Sequence, residues 1–246
     1  MNAFSPAQTW RVAALTMMPP EQLHNLLAGE DAPEWVEAAA ACGIAAAQLR
    51  LGRMLLEGEG VARDPRAAFA CFLCAARSSD ADARNMLGRC YENGWGVERN
   101  MVQAAAHYAL AAEAGLAWAQ YNLGHILLSG DGAPRDRDAA FAWYMRAASQ
   151  GHERAMNLVA RCFEEGWGVA RNSAAARNWY RKSAEGGYFR GAYNYANLLA
   201  RDGCVTGAAI WFSRALAAAP RVTRELMART LRENPEPRLR ALADFK

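Results

Sequence analysis

The 246-residue sequence predicts an all-α fold of stacked helical hairpins, a solenoid. Three observations carry this. Glycines recur with a period of 36 residues: Gly58, Gly94, Gly130 and Gly166 form one column, and Gly60, Gly96, Gly132 and Gly168 a second. Four residues after each second glycine stands a side chain suited to a helix N-cap, Asp64, Asn100, Asp136 or Asn172. Eight residues further comes an aromatic, Phe72, Tyr108, Tyr144 or Tyr180. A small pair follows it: Ala75/Ala76, Ala111/Ala112, Ala147/Ala148 or Ser183/Ala184. Self-similarity at such a period marks a repeat array, in which each hairpin buries its apolar face on its neighbours.

Residues 1–30 read as one or two short helices punctuated by Pro6 and Pro19-Pro20, with Leu23, Leu26 and Leu27 on one face, forming an N-terminal cap. Residues 31–43 align with the second half of a repeat, Trp35 and Val36 standing 36 positions before Cys71 and Phe72. Asp31 and Pro33 suit the start of this helix and Gly43 its end. Full repeats follow at about 44–79, 80–115, 116–151 and 152–187, each helix A, glycine loop, helix B. Helix A carries a Leu-Gly pair: Leu51-Gly52, Leu87-Gly88, Leu123-Gly124, and Val159-Ala160 in the fourth repeat. Glycine inside a helix costs up to about 1 kcal/mol, so the expected return is close approach of the partner helix's backbone. The first loop glycine ends helix A in a left-handed conformation, and the second turns the chain. The Val or Ala after it, Val61, Val97, Ala133 or Val169, drops into the core.

Gly43, Gly115, Gly151 and Gly187 close the B helices, and Ser79 stands once in that column, predicting a less regular turn near Arg77–Asp80. A fifth repeat, 188–219, is shortened in its glycine loop, now D-G-C-V-T-G. Tyr195-Ala196 continues the Leu-Gly column, and Trp211-Phe212 matches Trp179-Tyr180. Residues 220–246 read as a polar capping helix, a break at Pro235-Glu236-Pro237 and a short final helix.

Composition narrows the function. Net charge is +3 with a pI of about 8.6. From Pro220 onward there are seven basic and four acidic residues, so the excess is local and the array itself is near neutral. That argues against binding nucleic acid along its length. The N-terminus lacks the basic region of a signal peptide, and nowhere do about 18 apolar residues run together, so no membrane span and a cytoplasmic location are expected. The six cysteines read as thiols in a reducing compartment. Cys90 and Cys162 share a column with Met54 and Ile126, which marks a buried apolar slot. Cys71 and Cys74 lie inside a helix B with no second pair to complete a metal site. His24, His107, His125 and His152 are scattered, and His107 occupies the column of Trp143 and Trp179, a packing position. No GxSxG, Walker loop or HExxH appears, so no catalytic, cofactor-binding or metal-binding residue is assigned. Trp95 and Trp167, within the G-W-G-V loops, either pack on the next repeat or form an exposed aromatic edge; packing is the reading taken.

These columns resemble the Sel-1-like repeat family, relatives of tetratricopeptide repeats with a longer loop. The carrying pattern is A-x3-L-G-x6-G-x-G-V-x2-[DN]-x7-[WFY]-x2-A-A-x2-G, over residues 31–219; the departures are Val159-Ala160, Ala133, Ser79 and the shortened fifth loop. The resemblance implies a right-handed α–α superhelix acting as a non-enzymatic adaptor or scaffold, of a bacterial type. Some cysteine-rich relatives are stapled by a disulfide in every repeat, a pattern absent here. A weak amide or β-lactam hydrolase, as proposed for such relatives, is one alternative, against which stands the lack of a nucleophile–base pair. A helical-repeat RNA binder is the other, against which stands the neutral body.

In such a stack the A helices line the concave wall. Residues fixed from repeat to repeat are core, and polar positions that vary on helix A face the groove. Columns two before and two after the Leu meet this description and share a face. With their neighbours they supply Arg53, Asn85, Arg89, Trp118, Tyr121, Asn122, His125, Arg154, Asn157, Arg161, Arg190, Tyr193 and Asn197. Arg captures carboxylates bidentately, Asn pairs with peptide backbone, and Tyr and Trp anchor interfaces. The expected partner is a protein or peptide, extended and acidic, or a chain terminus.

Overall fold

The computed structural model describes residues 6–19, 21, 22, 25 and 33–244. The expected cap residues Pro20, Leu23, Leu26 and Leu27, with His24 and the helix-start residue Asp31, lie outside the described residues. Every regular element among them is helical. None of these helices is long and apolar enough to cross a membrane.

The chain divides into two compact units, Met1–Ala119 with Asp131–Ala133, and Gln120–Gly130 with Pro134–Lys246. The first holds α1 (Pro6–Met17), α2 (Pro33–Ala41), α3 (Ala45–Glu57), α4 (Pro65–Ala76), α5 (Ala81–Asn93) and α6 (Met101–Glu113). The second takes most of α7 (Ala117–Ser129), then α8 (Arg137–Ser149), α9 (Glu153–Glu165), α10 (Ser173–Glu185), α11 (Phe189–Arg201) and α12 (Val205–Ala218). It closes with α13 (Arg221–Arg232), α14 (Pro237–Arg240) and a 3-10 turn, Ala241–Asp244. The expected break at Pro235–Pro237 is where α13 gives way to α14. In the first unit α1 packs on α2, where Leu15 joins Ala38, Ala39, Ala40 and Ala47 in one buried cluster.

The loop between helices A and B is built by four side-chain or backbone devices in each full repeat. Helix A ends on a left-handed glycine, with φ from 71° to 82° at Gly58, Gly94, Gly130 and Gly166. Helix B begins on its expected cap: Asp64 accepts from the amides of Arg66 and Ala67, Asn100 from Gln103, Asp136 from Ala139 and Asn172 from Ala175. Pro65 occupies the first turn behind Asp64. The same cap residues donate their own N–H groups back to helix A, at 2.8–2.9 Å from the carbonyls of Leu55, Tyr91, Leu127 and Phe163. An arginine column that the sequence reading passed over completes the loop. The Nε atoms of Arg63, Arg99, Arg135 and Arg171 donate to the carbonyls of Leu56, Glu92, Leu128 and Glu165. These carbonyls end a helix without intrahelical partners, so a guanidinium there satisfies them and the negative end of the helix dipole.

The second loop glycine is the stacking key between repeats. A Cβ on Gly96 would lie 2.0 Å from the carbonyl oxygen of Pro65, on Gly132 2.3 Å from that of Met101, and on Gly168 2.0 Å from that of Arg137. Each loop therefore rests directly on the first turn of the preceding helix B. In the first full repeat the same position, Gly60, meets the ring of Pro33 from the opening half-repeat. The hydrophobic residue after this glycine is half-buried rather than fully enclosed.

One expectation needs correction. The glycine of the Leu-Gly pair meets an aromatic ring, not helix backbone. A Cβ would stand 2.5 Å from Phe72 at Gly52, 2.6 Å from Tyr108 at Gly88 and 2.5 Å from Tyr144 at Gly124. All three rings are fully buried, so the ring of helix B fills the notch that helix A leaves. Ser79 makes its turn less regular, as expected, without abolishing it. It adopts φ 61°, and its N–H donates to Ala76 as those of Gly115, Gly151 and Gly187 donate to Ala112, Ala148 and Ala184. The cost is local: α4 stops one residue earlier than the other B helices, and a Cβ is held in the left-handed region. Ser79→Gly is therefore expected to raise stability by roughly 1 kcal/mol in urea denaturation, a gain reduced by the greater freedom of glycine in the unfolded chain.

The aromatic column obeys a second rule. Tyr108 donates its hydroxyl to Glu92, and Tyr180 donates to Glu164 at 2.7 Å. The position of Glu92 and Glu164 is Leu56, Leu128 and Ala200 in the other repeats. Phe72 and Phe212, which lack a hydroxyl, pack in clusters with Leu56 and Ala200. Tyr144 alone breaks the rule: opposite Leu128, its fully buried hydroxyl has no hydrogen-bond partner.

Candidate functional site

In the second unit a cavity of about 420 Å³ opens between α7, α9, α11 and α13. It gathers seven of the thirteen predicted groove residues: Tyr121, His125, Arg154, Asn157, Arg161, Arg190 and Tyr193. They meet because α7, α9 and α11 are successive A helices, and residues four apart on each lie one turn above the other. Leu158, Glu164, Tyr180, Tyr188, Asn194 and Met227 complete the lining.

The walls divide by chemistry. At the base, Asn194 donates to the side-chain oxygen of the buried Asn157 at 2.9 Å. Arg154, Arg161 and Arg190 are exposed along the rim, each against an aromatic ring. Arg161 lies 5.0 Å from the Trp167 ring, Arg154 5.8 Å from Tyr188 and Arg190 5.7 Å from Phe189. A guanidinium held by its face keeps its N–H edge for a carboxylate. The one carboxylate of the lining, Glu164, accepts from Tyr180 and pairs with Arg201 at 3.6 Å. Three guanidiniums and one carboxylate thus stand among the described lining residues.

His125 stands on the α7 side, edge-on to Tyr121 at 4.6 Å and to Tyr144 at 5.7 Å. Its outer face is exposed, but the packed wall behind it strips away water, and this, with the Arg161 charge, lowers its pKa below the usual value. His152 is buried beneath the same wall, 5.0 Å from the Tyr121 ring, where its Nδ1 accepts from the amide of Ala155 and caps α9. Burial lowers its pKa too, as the acceptor role requires a deprotonated Nδ1. Burial raises the pKa of Tyr193, whose hydroxyl is hydrogen-bonded to Thr230 of α13.

The remaining predicted residues lie elsewhere. Asn122 and Asn197 are half-buried on α7 and α11 beside the lining, Asn197 donating to the carbonyl of Tyr193. Trp118 is exposed at the start of α7. In the first unit, Asn85 is buried in α5, while Arg89 is exposed and lies 5.1 Å from the Trp95 ring. Trp95 also packs with the cluster around Phe72 and Leu87, and both loop tryptophans back an arginine of their own repeat. Arg53 lines a separate hollow of about 460 Å³ with Arg50, Glu57 and Glu59, and pairs with Asp82 at 3.4 Å. A cleft of about 600 Å³ between Arg63–Arg66 and Gly94–Glu98 flanks a helix start that Asp64 already caps.

Glu164 and Tyr188 share the face of predicted residues, and helical spacing alone could have found Glu164. Met227 enters from the C-terminal cap and carries no signal in the sequence. The buried thiols Cys90 and Cys162 are pushed up to about 11 by desolvation, in keeping with an apolar slot. Among the described residues no three His, Cys, Asp or Glu side chains converge as a metal site would need.

The Sel1 repeat model matches residues 45–80, 81–116, 119–152 and 153–188, more than half of the chain. No curated protein matches the sequence. Among solved structures, a Sel1 repeat protein from Oxalobacter formigenes is similar over 92% of this chain and 99% of its own, at 24% identity and a TM-score of 0.74. A protective antigen of uropathogenic Escherichia coli with an SLR fold is 27% identical, with a TM-score of 0.68. The match covers 83% of this chain but only 45% of the antigen's length. An immunity protein from Pseudomonas aeruginosa, 17% identical over 80% of this chain and 74% of its own, shares the fold at a TM-score of 0.55. On the four matched repeats and their all-helical solenoid architecture, the chain belongs to the Sel1 repeat family, whose members are generally protein–protein interaction scaffolds and typically not enzymes.

Proposed function

We propose that this protein is a non-enzymatic scaffold that holds an acidic peptide segment of a partner protein in the groove lined by its A helices. The observation that carries the reading is the rim of the second-unit cavity. Arg154, Arg161 and Arg190 all line it, against one carboxylate among the described lining residues, Glu164, which accepts from Tyr180 and pairs with Arg201. Cations of one sign around a concave wall attract a ligand of the other sign and set its register. Tyr121, Tyr188 and Tyr193 offer rigid aromatic contact at low entropic cost beside them. Arg89 on Trp95 repeats the Arg161–Trp167 arrangement in the first unit and extends the same chemistry there.

The test is charge reversal. Partners recovered by affinity purification with the wild-type protein, identified by mass spectrometry, are expected to fall at least about tenfold with Arg161→Glu and further with Arg89→Glu added. A tenfold fall corresponds to about 1.4 kcal/mol of binding free energy. Both positions are exposed, so the variants retain the fold. Unchanged recovery from the double variant overturns the groove reading.

A further inference from the structure

The base of the second-unit cavity carries an amide pair that its charges do not account for. Asn157, on α9, is only 6% exposed and yet lines the cavity. Its side-chain oxygen accepts from Asn194 of α11 at 2.9 Å, while its own N–H groups donate to nothing among the described residues. The side-chain oxygen of Asn194, which also lines the cavity, accepts nothing among them. Neither leftover group is sealed in as the Tyr144 hydroxyl is, so both open to the cavity. Buried polar side chains fill their hydrogen-bonding capacity, and a half-filled pair at the base of a cavity marks a place for a ligand.

The array does not need amides here for packing. Asn157 and Asn194 are 37 positions apart, as are Asn85 and Asn122. At the same interval in the alternate repeats stand Leu49 with Met86 and Tyr121 with Leu158.

One hydrogen bond between two amides leaves an N–H donor beside a free oxygen, whichever way the two are turned. A carboxylate offers only acceptors and would be repelled by that oxygen. A residue of extended main chain offers both an N–H and a C=O on one side, as in a hydrogen-bonded pair of a sheet, and satisfies both groups at once. Asn157 also stands three residues after Arg154 and four before Arg161, on one face of α9. Those arginines are about 10 Å apart along the helix, a span that extended chain covers in about three residues.

We infer that the Asn157–Asn194 pair is a main-chain subsite, holding one residue of the bound segment in extended form by its N–H and C=O, while acidic side chains to either side reach Arg154 and Arg161. The inference rests on the groove reading above. It adds that the segment is gripped by its backbone, so the residue over the pair is not selected by its side chain.

The probe is fluorescein-labelled hexaglutamate with an amidated C-terminus, followed by fluorescence anisotropy. Beside it runs the same peptide N-methylated at every glutamate, which keeps the charge and loses the backbone donors. Wild-type protein is expected to bind the plain peptide at least about tenfold more tightly than the N-methylated one. The double variant Asn157→Leu/Asn194→Met installs the apolar pair that the array already carries at Leu49 and Met86. It is expected to melt no lower than wild type, since both partners leave together, yet to weaken hexaglutamate at least about fivefold and to lose most of the N-methylation penalty. A pair that only braced α9 against α11 would leave that penalty unchanged. Equal binding of the two peptides by wild type, or an undiminished penalty in the double variant, overturns the subsite, and the groove reading stands where Arg161→Glu still weakens hexaglutamate. Labelled hexaglutamine binding more tightly than hexaglutamate would put a side-chain amide on the pair and overturn the main-chain assignment. Absence of hexaglutamate binding to wild type, or its indifference to Arg161→Glu, overturns both readings.

Discussion

Gly168→Ala is expected to lower the unfolding free energy by roughly 3 kcal/mol or more, from an αL penalty of about 1–2 kcal/mol and an overpacking cost of about 1–3 kcal/mol. The first part is backbone strain, since Gly168 sits at φ 67°. The second is collision, since the new methyl would lie 2.0 Å from the carbonyl oxygen of Arg137 and 2.5 Å from its carbon, atoms of a helix start that cannot swing away. Gly151→Ala separates the two. Gly151 is left-handed at φ 90°, but a Cβ there meets nothing within 4 Å. It is expected to cost only about 1–2 kcal/mol. Urea denaturation of the two variants measures the difference; equal losses would show that the loop does not key onto the helix beneath it.

Gly88→Leu and Tyr108→Ala are each expected to cost about 3–4 kcal/mol alone, the first by overpacking and the second by opening a cavity. The Cβ of residue 88 would stand 2.6 Å from the Tyr108 ring, so the leucine and the ring claim one space. With the ring gone, the leucine side chain occupies the cavity. The double variant is expected to be at least about 2 kcal/mol more stable than the sum of the single losses predicts, since residues in contact couple by up to about 3 kcal/mol. Glu92 also loses the Tyr108 hydroxyl in the single and double variants alike, so that contribution cancels from the cycle. Strict additivity would mean that the glycine serves some purpose other than admitting the ring.

The repeat and its loop were legible in the sequence because they depend on backbone geometry and short-range chemistry. A left-handed turn selects glycine, and an N-cap selects Asp or Asn, whatever lies further away. The less regular turn at Ser79 was legible for the same reason: a Cβ is costly in the left-handed region, and the helix before it stops one residue early. The use of the Leu-Gly notch was misread. A small residue announces close approach but not what approaches, and ring and backbone are alike in one dimension. The Arg63, Arg99, Arg135 and Arg171 column was as periodic as the glycines, yet charged residues on a loop read as solvated until the carbonyls they cover are seen. Of the candidate groove, the positions on α7, α9 and α11 came from helical spacing. Met227, and the isolation of Arg53 in its own hollow, depend on tertiary placement that periodicity does not encode.

The second glycine gives the array a grain. Gly96, Gly132 and Gly168 each seat on the helix that came before, none on the one that follows. Shortening the protein from its C-terminal end therefore removes loops whole and leaves every remaining loop on its seat. Shortening it from the other end strips the seat from the first loop that survives, as Pro33 beneath Gly60 illustrates at the opening of the array. The turn Asp202–Cys204 is too short to reach back in this way, so the fifth hairpin packs on the fourth without a loop of its own seated there. Growth and loss of repeats in this protein are directional, and the direction is written in which neighbour each glycine touches.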